Sequence, residues 1–479
     1  LIYINKIGFF VGILTACCIF YFGAKENSPA LKSLAIASIM IIWWITEALP
    51  IFLTSLLPII LFPLLGISDI KETTAHYANP VIYLFMGGFM IAIAMEKWNL
   101  HKRIALTIVK FTGTNANSII FGFMLSTYFL SMWLSNTATA VMMLPIGVSI
   151  ISLCLNESNC NTKSARNFAI CMMLGIAYGA NIGGIATLIG TPPNLVLLAY
   201  IKEMYNYEIS FSEWLIFGLP FSFALLYITY IITIKLIFPN NLGTIKGSAS
   251  LIEGEIKNLG KFSAQEKSVL LIFIFTALLW IFREQINRID FLKNLNDSII
   301  ALIGAFLLFI VPSERKGKTL LNWNDMAQLP WGILLLFGGG LSLASGMEKA
   351  GVLDNIGSWA TQLNLGNGIL MMLLLTSIAL FLTEVMSNVA LATVFIPIVC
   401  IIAESMEKNA LYFSIPITIA ASCAFMMPMS TPPNAIVFSS GHIRIADMAK
   451  TGLILNLVSV ILITLLAYFI LPHIFSFTP

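Results

Sequence analysis

Ser131-Met132-Trp133-Leu134-Ser135-Asn136-Thr137-Ala138-Thr139 interrupts an otherwise apolar run, and Thr383-Glu384-Val385-Met386-Ser387-Asn388-Val389-Ala390-Leu391 echoes it far down the chain. Each stretch holds a Ser-Asn pair, followed by Pro-Ile (Pro145-Ile146, Pro397-Ile398) and then by Thr-Pro-Pro-Asn (191–194, 431–434). The Ser-Asn and Pro-Ile pairs share one offset (387 − 135 = 252, 397 − 145 = 252), whereas the Thr-Pro-Pro-Asn pair is closer (431 − 191 = 240). A polar motif repeated in register inside apolar sequence demands more than packing as its reason.

Composition sets the surroundings. The 479 residues are 58% hydrophobic and 10% charged, with mean hydropathy +0.91; a soluble domain carries about 25% charged residues. A spanning helix needs about 20 apolar residues, and runs such as 269–282 and 453–470 are continuous rather than alternating, which fits helices better than barrel strands. The chain therefore reads as an all-α polytopic membrane protein with about 11 transmembrane helices, embedded in a cell (plasma or inner) membrane. A net charge of +3 gives no reason to expect a nucleic-acid partner. The seven cysteines lie mostly in or beside apolar spans without metal-ligand spacing, and the four histidines are scattered.

The chain opens on Leu1, which reads as the loss of a short start, and 7–22 reads as a first spanning helix rather than a cleavable signal. We place an N-terminal helix in 1–30, a first repeat in 31–238, a cytoplasmic linker in 239–267 and a second, inverted repeat in 268–479. The apolar stretch 34–65 should break at Pro50. The segment 96–103 is basic and amphipathic. By their lysines and arginines, this segment, the linker and the basic run 315–318 share the cytoplasmic face.

The stretch 118–153 is too short for two crossings and a loop, so a re-entrant hairpin with Ser135-Asn136-Thr137 at its tip is expected. A second hairpin is expected around 368–404. Broken helices should occupy 168–200, interrupted at Asn181-Ile182-Gly183-Gly184 and Gly190-Thr191-Pro192-Pro193, and 411–440. Phe85-Met86-Gly87-Gly88 answers Phe337-Gly338-Gly339-Gly340 at the same 252 offset, and these glycines read as close helix packing. Inverted repeats with broken helices are a secondary-transporter architecture.

Interrupted helices expose N–H groups at one end, suited to anions, and C=O groups at the other, suited to cations. Proline at a helix start costs nothing, because its missing N–H has no partner there. Serine and threonine hydroxyls with an asparagine oxygen form a neutral shell for a hard monovalent cation, and the same asparagine can turn its NH2 toward a carboxylate. Neither motif contains lysine or arginine. A carboxylate dianion held there would bury uncompensated charge, so bound cations are the natural remedy. Competing readings are interhelical hydrogen-bond glue for a lone Ser-Asn-Thr, and for Glu47 and Glu384 either a proton relay or a local structural bond. The methionine pairs 172–173, 371–372 and 426–427 read as core packing.

Ser135-Asn136-Thr137, Ser387-Asn388-Val389, the two Thr-Pro-Pro-Asn loops and the stretch 430–438 through Gly441-His442 resemble the divalent anion/sodium symporter (DASS) family, especially its sodium–di- and tricarboxylate cotransporter branch. The resemblance spans nearly the whole chain. It implies a homodimer in the lipid bilayer, with scaffold and transport domains working as an elevator, moving dicarboxylates such as succinate, malate and fumarate with Na+ as the co-transported ion. It assigns sodium to Ser131, Ser135, Asn136 and a carbonyl near Gly184, and a second sodium to Thr383, Asn388 and carbonyls near Met386 and Ser430. It assigns the carboxylates to Asn136, Thr137, Thr191, Pro192, Ser387, Asn388, Val389, Thr431 and Pro432. Val389 departs from the fuller motif, which has threonine there, and so bears on substrate preference. The rival within the family is a sodium-independent exchanger, or citrate or sulfate as main substrate. An anion channel lacks its basic lining, and no enzyme constellation stands in the spans, so the chain reads as a transporter and not an enzyme.

Overall fold

A computed structural model of the chain describes residues 2–156, 162–313, 318–352 and 368–475. Among these residues ten helices are long and apolar enough to cross a membrane, and shorter apolar helices stand between them. The described residues contain no strand, only isolated bridges at Asn115–Thr244 and Pro312–Thr319. Of the basic run 315–318 only Lys318 is described, and Cys160 lies outside the described residues.

The apolar stretch after the first helix breaks as the proline dictates. Pro29–Thr46 ends at Glu47 in a left-handed conformation, and Ile51–Thr54 restarts after Pro50. Glu47 is exposed at this cap. The amphipathic element lies a few residues later than its basic cluster suggests: Pro80–Lys97 stops at Trp98, and Leu100–Thr112 buries Leu100, Ala105, Leu106 and Val109. The stretch 239–267 is more than a linker, because it contains the helix Ser248–Asn258. That helix is strapped to the amphipathic one by Lys102–Glu255 (2.8 Å) and Lys110–Glu253 (3.0 Å), and Arg103 holds Glu266 at 2.6 Å just beyond it. Lys97 pairs with Asp325 at 2.7 Å, and the Trp98 indole donates to the Leu320 carbonyl. The basic amphipathic segment thus meets the stretch 239–267 and, through Lys97 and Trp98, residues 320 and 325.

The two motif regions are helix–turn–helix hairpins. Ala116–Ser131 turns through 132–135 into Asn136–Asn156, and Gly368–Leu382 turns through 383–387 into Asn388–Ser405. Ala116–Ser131 is about 24 Å long at 1.5 Å per residue, short of the roughly 30 Å hydrocarbon core. Pro145 and Pro397 stand inside the two return helices. Both ends of the first hairpin meet the linker: the Ala116 N–H donates to the Gly243 carbonyl, and a Cβ on Gly247 would lie 3.8 Å from Leu153 near the end of the return helix. The ends of the second hairpin lie elsewhere, with its return helix packed on Pro192–Tyr205 and Gly368 beside Tyr412.

Each hairpin is followed by a broken helix, Thr162–Ile185 with Pro192–Tyr205, and Leu411–Ser422 with Pro432–Phe438. The first interruption is 186–191; the expected break at Asn181-Ile182-Gly183-Gly184 is absent, and those residues complete the helix. Glycine there serves close approach, since a Cβ on Gly183 would stand 2.2 Å from the Tyr128 carbonyl oxygen. The halves interlock: Pro192–Tyr205 packs on Asn388–Ser405, and Pro432–Phe438 on Asn136–Asn156. Met172, Met173, Met371 and Met372 are buried as core residues, but Met426 and Met427 are only partly buried, because they belong to the second interruption.

The repeated glycines are helix contacts. A Cβ on Gly87 would lie 2.6 Å from the Ala301 backbone, and one on Gly339 2.3 Å from the Ser55 carbonyl oxygen. Backbone cannot retreat as a flexible side chain can, so overpacking costs about 1–3 kcal/mol. Gly87→Ala is therefore expected to lower the melting temperature in detergent, read by size-exclusion chromatography after heating; an unchanged profile would contradict this packing.

Candidate functional site

The site is assembled from the two hairpin turns and the two helix interruptions. In the first turn the Ser131 hydroxyl donates to Asn136 Oδ1 at 2.5 Å, and in the second the Thr383 hydroxyl donates to Asn388 Oδ1 at 2.7 Å. The two bonds stand 252 residues apart (383 − 131 = 252, 388 − 136 = 252), so the motif repeats in geometry as well as in letters. Each asparagine opens a return helix, where the first N–H groups lack intrahelical partners. Ser135 precedes Asn136 and receives the Ala138 N–H at 3.5 Å, whereas Ser387 makes no such side-chain cap.

The interruptions repeat as faithfully. Asn194 Nδ2 donates to the carbonyls of Gly184 (3.4 Å) and Thr187 (2.8 Å). Asn434 Nδ2 donates to those of Ala424 and Met427, both at 3.1 Å, each acceptor lying 240 residues beyond its counterpart. These carbonyls border helix breaks, where backbone loses its own partners. The last asparagine of each Thr-Pro-Pro-Asn is thus a brace for the interruption before it. Asn434 Nδ2 also reaches Ser430 Oγ at 3.1 Å, and the Thr431 hydroxyl caps the half-helix by accepting the Asn434 N–H.

Turn and interruption touch within each repeat. A Cβ on Gly184 would meet Asn136 Oδ1 and the Gly190 carbonyl oxygen, both at 3.0 Å, so the first oxygen cluster and the Gly184 backbone are brought together. The Thr187 hydroxyl donates to the Met132 carbonyl at 2.5 Å. In the second repeat the Thr383 hydroxyl also donates to the Ala421 carbonyl at 2.8 Å. Ser131, Thr383, Gly184 and Ser430 are buried; Asn136, Met386, Asn388, Ser387 and Val389 are half-buried; Ser135 and Thr137 are exposed. Thr191 and Thr431 are buried at the half-helix starts, with Pro192 half-buried and Pro432 exposed beside them. Met386 and Val389 lean on the apolar cluster of Ile36, Met40, Trp44 and Leu336.

Several residues tie these parts together: Asn181, which sequence reasoning placed at a break, and others that it passed over. Asn181 Nδ2 reaches across the repeats to Thr431 Oγ1 (3.1 Å), Asn434 Oδ1 (3.2 Å) and the Ala424 carbonyl (3.3 Å). The Tyr178 hydroxyl donates to the Phe425 carbonyl at 2.9 Å. The Trp214 indole donates to the Ile185 carbonyl at 3.0 Å. Asn456 stands as a lone amide in an apolar run, the one signal that could have drawn attention to it. Glu384, a candidate proton relay, is buried with its carboxylate engaged by the backbone N–H groups of Phe425, Met426 and Met427 and by the Asn456 amide.

Twin hairpin tips packed on twin helix interruptions, in a chain with ten membrane-grade helices among its described residues, define a multi-pass secondary transporter. The family model described as "Sodium:sulfate symporter transmembrane region" matches residues 11–475, and the chain belongs to that family. It is 41% identical over 447 residues to the sodium-dependent dicarboxylate transporter SdcS of Staphylococcus saprophyticus, covering 92% of this chain and 86% of the relative. The SdcS of Staphylococcus aureus is likewise 41% identical over 473 residues, covering 97% and 91%. Among solved structures, the Alcanivorax borkumensis YdaH transporter shares the fold at TM-score 0.57 and 12% identity, covering 83% of this chain and 88% of that one.

The two braces differ in backup. The Ala424 carbonyl keeps Asn181 as a second donor and the Met427 carbonyl keeps the Ser430 hydroxyl. Among the described residues, Asn194 is the one side chain that donates to the Gly184 carbonyl. Stranding a buried carbonyl costs about 1–3 kcal/mol. Asn194→Ala is therefore expected to lower the detergent melting temperature more than Asn434→Ala; the reverse order would refute the brace assignment.

Proposed function

We propose that this chain is a sodium-coupled symporter of C4-dicarboxylates such as succinate, malate and fumarate. The observation that carries the reading is the duplicated oxygen cluster, Ser131–Asn136 against the Gly184 backbone and Thr383–Asn388 beside the second interruption. Every donor atom in it is a neutral oxygen, which suits Na+ as a transported ion. Asn194 Oδ1 adds a buried acceptor beside the first break, without a hydrogen-bond partner among the described residues. Neither motif supplies lysine or arginine, so a dianion needs bound cations to offset its burial. The names borne by the two staphylococcal relatives agree with this chemistry.

In this reading Ser131, Ser135, Asn136 and the Gly184 carbonyl hold one sodium ion, and Thr383, Asn388 and the carbonyls of Met386 and Ser430 hold the other. Asn136, Thr137, Ser387, Asn388, Val389 and the starts of the half-helices at Thr191-Pro192 and Thr431-Pro432 receive the carboxylates. Helix N-termini favour anions through their free N–H groups.

The two halves are inverted repeats. The support is that the first hairpin has both ends at the linker, whereas the return helix of the second packs on Pro192–Tyr205 and its start lies beside Tyr412. Each hairpin is re-entrant, the linker face is cytoplasmic, and hairpins with broken helices slide as a transport domain along a scaffold in a homodimer. The family resemblance supports the sliding domain and the dimer.

The test is succinate uptake into proteoliposomes with and without an inward Na+ gradient. Accumulation into vesicles empty of dicarboxylate is expected with Na+ only; uptake that ignores Na+ and requires internal dicarboxylate would make the protein an exchanger. Asn136→Ala and Asn388→Ala should each abolish accumulation in folded protein, and retained uptake would remove those residues from the site. Val389→Thr should alter the ranking among carboxylates, and an unchanged ranking would place residue 389 away from substrate.

A further inference from the structure

We infer that the exposed face of the first return helix, built from Thr137, Val141, Pro145 and Ser149, is a second seat that closes on the helix Pro80–Lys97 in the opposite end state. The inference rests on the inverted repeats and sliding domain proposed above and names the contacts that the slide makes. The two return helices carry the same face, at the 252 offset, in opposite surroundings. Thr137, Val141, Pro145 and Ser149 are exposed, whereas Thr393, Pro397 and Ile401 are buried and Val389 is half-buried. Val141 is 54% exposed and Thr393 4%. In the half-helices the order of the repeats is exchanged: Leu195 and Ala199 are buried, and their counterparts at the 240 offset, Ala435 and Ser439, are exposed.

The neighbours explain the difference. Asn388–Ser405 packs on Pro192–Tyr205, and both lie against Trp331–Lys349. Their repeat partners, Asn136–Asn156 and Pro432–Phe438, pack on each other and on Thr162–Ile185, with no comparable packing on Pro80–Lys97 among the described residues. One hairpin and one half-helix are thus seated on a scaffold helix, and the equivalent pair is unseated. The closed seat is tight at a glycine. A Cβ on Gly340 would lie 2.5 Å from the Thr393 methyl carbon, and a small void beside it is lined by Phe337, Leu341, Ala344 and Pro397.

The 252 offset carries Phe337, Gly340, Leu341 and Ala344 back to Phe85, Gly88, Phe89 and Ala92, the matching surface of Pro80–Lys97. The two helices touch at the related rings of Phe85 and Phe337, whose centroids are 6.1 Å apart. Gly88, however, has room: the nearest neighbour of a Cβ there would be the Ile189 side chain at 3.5 Å, an ordinary van der Waals contact. Unlike Gly87 and Gly340, it meets nothing among the described residues that requires glycine. Ile189 is itself 8% exposed, and its counterpart Met429 is 79% exposed. Inverted repeats exchange their surroundings as one body moves against the other. Passing each contact to the other repeat therefore gives the opposite state. Ile189 leaves Gly88 and Val141 comes as close to it as Thr393 now stands to Gly340, while Met429 covers Gly340. The glycine at 88 serves a contact that the present state does not make.

The experiment uses Gly88→Ala, which has space in the present state and is overpacked in the opposite one. It is expected to keep the wild-type size-exclusion profile and melting temperature in detergent, yet to lower succinate uptake into proteoliposomes at least about tenfold. Adding Val141→Ala to it frees the space again and should restore most of the uptake. A merely structural fault at residue 88 would not be relieved by trimming a side chain that is exposed in the present state. In membranes during uptake, Val141→Cys/Ala92→Cys and Thr393→Cys/Ala344→Cys should each be joined by a short bifunctional thiol reagent. The link is read as the joined peptide by mass spectrometry against single-cysteine controls, and each link should stop uptake. Gly88→Ala that transports like wild type, or that fails to fold, would overturn the proposal. So would a double variant no more active than Gly88→Ala, or a Val141/Ala92 pair that never links while the Thr393/Ala344 pair does. Normal uptake after the Thr393/Ala344 link has formed would instead remove the sliding reading itself, and this seat with it.

Discussion

An interrupted helix among apolar side chains must find new partners for the backbone groups it releases, because no bulk water supplies them. Everything at the centre of this protein answers that requirement. One asparagine, at the end of each Thr-Pro-Pro-Asn, holds the two carbonyls ten and seven residues before it. The prolines beside it start the half-helix without wasting an N–H. With both interruptions fastened, each hairpin tip can rest against its own and bring hydroxyl, amide and carbonyl oxygens together within its repeat.

The fastening also explains why the repeats are not copies. The first break is closed by neutral groups, Thr187 on Met132 and Trp214 on Ile185. The second recruits a carboxylate, Glu384, steadied by Asn456 from the long helix Ile445–Ile474. A carboxylate held by four donors, none of them a lysine or arginine, is costly to bury unless each bond is made. The earlier end of the second helix and the longer interruption, 423–431 against 186–191, go with the three amides it takes. Asn181 and Tyr178 then carry the coupling across the repeats, since both lie on the first broken helix and bond the second interruption.

Away from the centre, packing is set by small residues and a charged strap. Gly87, Gly183 and Gly339 permit backbone contacts that a methyl group would obstruct, as expected where helices associate without a hydrophobic driving force between them. On the linker face, ion pairs between Leu100–Thr112 and Ser248–Asn258 strap the stretch between the halves back onto the first half.

The sequence by itself determined the membrane class, the duplication, the two hairpins and the motif residues that form the clusters. Those features are periodic, compositional or local: apolar run length, a polar pair at a fixed offset, proline at a helix start. It misplaced the first break at Asn181-Ile182-Gly183-Gly184, because a Gly-Gly pair signals both interruption and close packing, and only the neighbouring Tyr128 backbone decides for packing. It left Glu384 between relay and structural bond, because its partners come from residues 41 to 72 positions away. Side chains that span such separations carry no local pattern. What only the tertiary structure decided was which buried polar group answers which freed backbone group, since that pairing exists only once the two halves have interlocked.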